Sequence, residues 1–392
     1  TPPASESAAI PDKEDERAAY AGRFYKNYLK ILEKMLHMRF IVLAAAIGVI
    51  IFGGFIASLL VREFFGPSDR NQFLVYIDLP AGSRIESTDE VVQQLTGWLA
   101  DKEKNPEITS TIAYVGTGGP RFFLVLSPLD PDPHVAFVVV NTKSPDPVPE
   151  LVQRVRQYFN DYIPQANGRV KQMWLGSEEP GFLEIRIYGL DPSYIFEKGN
   201  QLAAKLKDMP GTLDVRNNWE NKIIKAHIVV DQARARRAGV TSKEAALSLQ
   251  SHMDGVRVTD YRELDVAIPV IARSEIEERK VMSDLWNVMV RSPRDGTSVP
   301  LTQIADIRGQ WDFSRISRRN QERCVTIEAK HEYLKAPELL EAAKPFIEAL
   351  DLEEGYWWEV GGELESQAEV MEKLTRWMPH CFFGIVVLLV WQ

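Results

Sequence analysis

Residues 40–61 read FIVLAAAIGVIIFGGFIASLLV and carry no charged side chain. A helix needs roughly 20 apolar residues to cross the hydrocarbon of a bilayer, and this run is long enough. The helix of a soluble core keeps a polar stripe, and none can be drawn here. Gly48, Gly53 and Gly54 would weaken an isolated helix in water. In a bilayer, small residues let neighbouring helices approach closely. The competing reading is a buried helix of a large soluble protein. A signal peptide fits poorly, because the run is too long and starts too deep in the chain. The stretch is read as a transmembrane helix, and every other segment is placed by the side of it on which it falls.

Arg23, Lys26, Lys30, Lys34 and Arg39 precede the run, whereas Arg62 and Arg70 follow it within a similar distance. The flank richer in Lys and Arg stays in the cytoplasm, and acidic residues count little. The N-terminal side is expected inside and residues 62–376 outside. Residues 1–22 open with a Pro-, Ala- and Glu-rich stretch and read as a disordered cytoplasmic linker. In 23–39, Tyr25, Tyr28, Leu29, Leu32 and Leu36 recur at helical spacing beside the lysines. This predicts an amphipathic helix lying in the membrane interface; the alternative is a cytoplasmic extension of the membrane helix. After His380 and Cys381 the chain is apolar again, FFGIVVLLVW, a run too short to span by itself. Residues 379–392 read as the start of a second membrane helix, cut short in a piece of a longer protein that begins at Thr1.

The region between the two apolar runs is long enough for two or more domains. A net charge of −9 speaks against a nucleic-acid partner. Cys324 lies in a strand-like run and Cys381 in the terminal apolar one, so no disulfide framework is expected. His37, His134, His227, His252, His331 and His380 are scattered, without metal-site spacing. No Ser/His/Asp, Cys/His or phosphate-loop constellation is present. An enzyme is therefore not expected, nor a bound cofactor. Glu178 and Glu179 are adjacent carboxylates, read as a solvated loop pair.

Along the outer region the pattern predicts an α+β architecture. A strand at 72–79 ends at Pro80-Ala81-Gly82. Ser87, Thr88 and Asp89 can cap a helix reaching residue 104. Strands follow at 108–115, 121–126 and 135–140, a helix at 149–163 and a closing strand at 169–175. The order βαβ–βαβ is the split ferredoxin-like unit. A second such unit follows, with a strand at 182–188, a helix capped by Asp191-Pro192, and a strand at 213–217. It resumes with a strand at 323–330, a helix at 336–350 and a strand at 356–360. The insertion within it contains a strand at 225–230, a short helix at 231–238 and a helix with Thr241 and Glu244 as capping box. Strands are expected at 256–260, 266–272 and 287–291. Arg294-Asp295-Gly296-Thr297 is a strong hairpin-turn signal, since Asp-Gly tolerates the positive φ angles such turns need.

This arrangement resembles the second half of a resistance-nodulation-division (RND) efflux permease of the hydrophobe and amphiphile branch. Five stretches in order carry the likeness: LPAGS at 79–83, YVGTGGPRFF at 114–123, VVDQARARRAGVTSKEAALSL at 229–249, DGTSVPL at 295–301 and WWEVGGELESQAEVMEKL at 357–374. The resemblance implies a first pore subdomain at 72–175 and a second at 181–221 plus 313–361. It implies a docking subdomain at 222–312 that meets an outer-membrane channel through Asp295 and Gly296. It further implies a proton-driven homotrimer in a bacterial inner membrane, multi-pass, with a large periplasmic region. A periplasmic adaptor and an outer-membrane channel would be its partners.

By the same resemblance, substrate enters between the pore subdomains. Alternate residues of a strand share a face, so Leu74, Tyr76 and Asp78 form the cleft-facing set. Gly118, Gly119, Phe122 and Phe123 belong to the Gly-rich loop, Met173 and Trp174 close the first unit, and Arg216 lies on the second. Aromatic, thioether and aliphatic groups with one cation and one carboxylate suit an amphiphilic organic molecule. Each residue also has an ordinary reading. Leu74, Tyr76 and Met173 are common core types, one Phe of the pair can turn away, the glycines can make a hairpin, and Arg216 can pair with Asp214 or Glu184. Metal-exporting relatives hold copper or silver on cleft methionines, which are soft ligands. Here Met173 stands alone, which argues against metal. Two other classes remain, a lipid exporter of the same superfamily and a membrane-anchored ligand sensor.

Overall fold

The computed structural model describes residues 23–59, 68–123, 126–174, 179–275 and 282–391. The expected linker 1–22, the end of the apolar run at 60–61, Leu175 and Gln392 lie outside these residues. The chain groups into two compact units, Thr1–Arg62 and Glu63–Gln392.

In the first unit, α1 (Arg23–His37) and α2 (Arg39–Leu59) are separate helices that meet at Met38. Leu29, Ile31, Leu32, Met35 and Leu36 of α1 are exposed, as expected of a helix whose apolar stripe has no protein partner. Residues 39–56 of α2 are long and apolar enough to cross a membrane.

The second unit begins with β1 (Gln72–Asp78), α3 (Ile85–Ala100), β2 (Ile108–Val115), β3 (Val135–Thr142), α4 (Val148–Tyr162) and β4 (Asn167–Gln172). The strands form one sheet in the order β2-β3-β1-β4, with every pairing antiparallel. Phe73, Val75 and Ile77 pack with Leu95, Leu151 and Phe159 beneath the helices. Leu74 and Tyr76 point to the opposite face, as strand alternation requires. Helix α3 starts at Ile85 after Arg84, without a side-chain cap. The Thr88 hydroxyl, expected as a cap, instead donates to the Pro133 carbonyl over 2.7 Å. The strand expected at 121–126 is not formed among its described residues, which run as irregular chain between Gly116 and His134. Pro120, Pro128, Pro131 and Pro133 remove donors that a ladder needs. The closing strand ends at Gln172.

A second layer starts with β5 (Phe182–Tyr188), α5 (Pro192–Lys207) and β6 (Thr212–Asn217). Asp191 caps α5 by accepting from the Ser193 N–H at 2.8 Å. The insertion follows: β7 (Lys222–Val230), α6 (Gln232–Arg237), α7 (Ser242–Met253), β8 (Val256–Glu263), β9 (Val266–Ala272), β10 (Met289–Arg291), β11 (Ser298–Pro300), α8 (Leu301–Ile304) and β12 (Ala305–Phe313). The capping box of Thr241 and Glu244 is formed. Strand β12 escaped the sequence reading, since Gly309 and alternating charges blur its pattern. It pairs with β7 from Lys222↔Phe313 to Val230↔Ala305, so the insertion leaves and returns on one ribbon. Val240, Val290, Leu301 and Ile304 make its small core.

The layer is completed by β13 (Arg318–Arg319), β14 (Glu322–His331), α9 (Ala336–Glu348) and β15 (Trp357–Gly362). The sheet runs β13-β14-β5-β15, with β6 also on β14. Apart from β13, this repeats the order of the first sheet. The insertion occupies the junction that the loop 116–134 occupies there. Trp219 is fully buried in this core with Leu183, Ile185, Val325 and Leu339. Helix α10 (Glu363–Trp391) runs through Pro379. The helix that carries the second apolar run starts earlier, at Glu363, anchored where the buried Glu363 carboxylate accepts from the Gly181 N–H at 2.7 Å. It too is long and apolar enough to cross a membrane.

Candidate functional site

The face of the first sheet turned away from its helices carries most of the expected set. Leu74, Tyr76, Phe137, Val139, Met173, Trp174 and Leu126 form one buried cluster, with Tyr114, Phe123 and Leu129 against it. The Tyr76 and Phe137 rings lie 5.0 Å apart. Phe123, Leu126 and Leu129 of the chain between β2 and β3 thus cover the sheet, and the cluster is packed rather than open. Burial pushes the Tyr76 hydroxyl up to about 12, so it stays protonated. Phe123 packs on the cluster, and its ring lies 4.9 Å from the Arg70 guanidinium. Phe122 is 42% exposed, with its ring 6.4 Å from that of Phe137.

The glycines of this loop are sites of close approach rather than a two-strand hairpin. An added Cβ at Gly118 would fall 2.1 Å from the Leu129 nitrogen, and one at Gly119 (φ +69°) would fall 2.8 Å from the Tyr114 ring.

Asp78 and Arg216 stand at the end of the sheet in a chain of ion pairs. Arg169 contacts Asp78 at 2.8 Å, Arg216 reaches Asp78 at 3.8 Å and Glu328 at 2.6 Å. Neither partner considered from sequence is used: Asp214 binds Arg156 at 3.2 Å, and Glu184 binds Arg186 at 2.8 Å. Asp78 and Arg216 also line a cavity of about 830 Å³, whereas Met173 and Trp174 line another of about 600 Å³.

Glu179 overturns its reading as a solvated loop acid. It is 6% exposed and sits between Lys171 at 2.5 Å and Lys330 at 2.8 Å. Burial pushes its carboxyl up, but the two ammonium groups outweigh this and hold it down at about 2. Lys171, Lys330, Arg169 and Glu328 were not anticipated as site residues. Strand period was the available signal: Arg169 and Lys171 flank the core-facing Val170 and so share the face of Tyr76.

In the insertion, Asp295 and Gly296 lie in the loop that joins the antiparallel β10 and β11, so the expected hairpin is formed. Ser292 donates to the Thr297 carbonyl over 2.8 Å, and of the two residues only Gly296 has a positive φ, 73°. A two-residue type I′ turn needs positive φ at both centres. The Asp295 carboxylate is used locally, accepting from the Thr297 N–H and hydroxyl.

Residues 17–392 match the family model described as AcrB/AcrD/AcrF. The chain belongs to the AcrB/AcrD/AcrF family. This AcrB/AcrD/AcrF-family chain is similar to the nickel and cobalt resistance protein CnrA of Cupriavidus metallidurans, 24% identical over 299 residues, covering 72% of this chain and 27% of the relative. It is similar to protein HelA of Legionella pneumophila, 21% identical over 380 residues, covering 93% and 35%. It is also similar to the toluene efflux pump membrane transporter TtgB of Pseudomonas putida, 25% identical over 270 residues, covering 66% and 24%. The chain thus spans about a quarter to a third of the curated relatives it matches. In fold it is similar to a heavy metal efflux pump in a crystal structure, with a TM-score of 0.70 at 21% identity, covering 89% of this chain and 36% of that one.

Proposed function

We propose that this chain is the substrate-path and docking part of a proton-driven RND permease that exports amphiphilic organic molecules. The observation that carries this reading is the cluster of Leu74, Tyr76, Phe123, Phe137, Met173 and Trp174 beneath the loop 116–134. Aromatic and thioether groups accept many apolar shapes, and a loop with few ladder bonds can lift from them at less cost than a strand. In this reading the two sheets are ferredoxin-like pore subdomains, the insertion is the docking subdomain, and α2 and α10 are membrane helices. The working form is a homotrimer in the inner membrane with a periplasmic adaptor and an outer-membrane channel.

The names of CnrA and of the structural neighbour favour a second reading, export of a metal ion. Met173 would then be the soft donor in the cluster. The test uses the full-length protein in a host lacking it. Trp174→Ala or Phe123→Ala removes an aromatic contact worth on the order of 1 kcal/mol, and is expected to change which dyes and detergents are tolerated while nickel tolerance stays fixed. Changed nickel or copper tolerance with unchanged tolerance of organic compounds would replace this reading with the metal one.

A further inference from the structure

Lys171 and Lys330 come from the two different sheets and converge on one carboxylate, that of Glu179. Lys171 and Glu179 are both buried. Two ammonium groups against one carboxylate leave a net positive charge, with Lys171 buried and Lys330 half-buried. Most neighbouring charges are already paired, and Glu332, the remaining acid on the cavity wall, is exposed to water, where its charge is screened. Arg156 is held by Asp214 at 3.2 Å, Glu150 by Arg154 at 2.9 Å, and Arg216 by Glu328 at 2.6 Å. A buried charge without its counterpart is costly, and an arriving opposite charge relieves that cost.

The same residues line a cavity of about 600 Å³, together with Met173 and Trp174. Trp174 is 9% exposed, yet its indole N–H has no acceptor among the described residues. A buried indole N–H normally finds one. Surplus positive charge calls for an anion and the orphan indole donor for an acceptor, both at residues that line this cavity, and the thioether and indole faces offer apolar surface.

We propose that this cavity binds the anionic head of an organic acid, with the apolar part against Met173 and Trp174. The inference rests on the efflux reading above and names a substrate class for it. A carboxylate or sulfonate gains charge-assisted hydrogen bonds from ammonium groups. A neutral or cationic amphiphile of equal length does not. Glu179 competes for the same lysines, so the site is tuned for weak, reversible capture.

The experiment is calorimetric binding of octanoate, octanol and octyltrimethylammonium to the purified full-length protein. Octanoate is expected to bind about tenfold more tightly than octanol. Lys330, with its side chain 26% exposed, is the safer lysine to change. K330Q is expected to weaken octanoate about tenfold without affecting octanol, and K330R to restore it. Glu179→Gln is expected to tighten octanoate. Equal affinity for all three ligands, or octanoate affinity unchanged in K330Q, overturns the proposal while leaving efflux of amphiphiles standing. Binding of none of the three removes both.

Discussion

Gly118 shows how a single residue constrains the covering loop. Its missing side chain lets the Leu129 backbone pass where a Cβ would sit, 2.1 Å from the nitrogen. Gly118→Ala must push that backbone aside, and overpacking of this kind costs about 1–3 kcal/mol. A lower melting temperature of the full-length protein is the expected outcome; an unchanged one would show that the loop yields freely. Gly97 is the opposite case, exposed in α3 with nothing within 4 Å of an added Cβ. There Gly→Ala should stabilise by about 0.5–1 kcal/mol through helix propensity, read from the same melt. Both positions were visible as glycines in the sequence. What separates them is chain that is remote in sequence or absent, and no local pattern encodes that. Arg216 carries the same lesson. Its nearby acids in sequence, Asp214 and Glu184, are taken by other arginines, and Glu328 reaches it only because β14 pairs with β6.

At the level of elements, the covering loop is pinned at its far end through His134. This ring is 2% exposed, contacts Asp132 through Nδ1 and lies 3.1 Å from Glu220 through Nε2. Glu220 follows β6, just before the ribbon that leads into the insertion, so one imidazole ties the first sheet's loop to the second layer. The Glu220 carboxylate beside Nε2 holds the ring above its ordinary value of 6.5, against burial, with Asp132 adding to the rise. A raised folded-state value means the contribution is fully present below the unfolded value, near 6.5, and is lost as pH rises through the folded one. Thermal stability should therefore fall as pH climbs through that window, and His134→Gln should flatten the dependence. A melting profile equally steep in both proteins would place the titrating group elsewhere. The elements themselves were largely legible. The capping box at Thr241 and the Asp191-Pro192 start are local chemistry and form as read. The strand at 121–126 failed because Phe123 and Leu126 pack across the face of a sheet rather than joining its edge.

For the whole molecule, the testable statement is sidedness. The basic residues before α2 outnumber those just after it, which predicts that the N-terminal flank lies inside. A cysteine placed by Asp295→Cys, in a full-length protein whose other cysteines are replaced, should react with an impermeant reagent added to intact spheroplasts. Reaction only after the inner membrane is breached would reverse the orientation. The sequence by itself determined the apolar spans, the alternation of β1 and the repeated order of strands and helices. These follow from composition and period, which act on neighbouring residues. Tertiary structure alone decided that the Gly-rich loop closes over Leu74 and Tyr76. It alone decided that Glu179 is buried between Lys171 and Lys330, and that the surplus charge there faces a cavity. Those facts depend on strands from two sheets meeting at one place, and the energy of a buried charge is set by the groups brought within a few ångströms of it, wherever they lie in the chain.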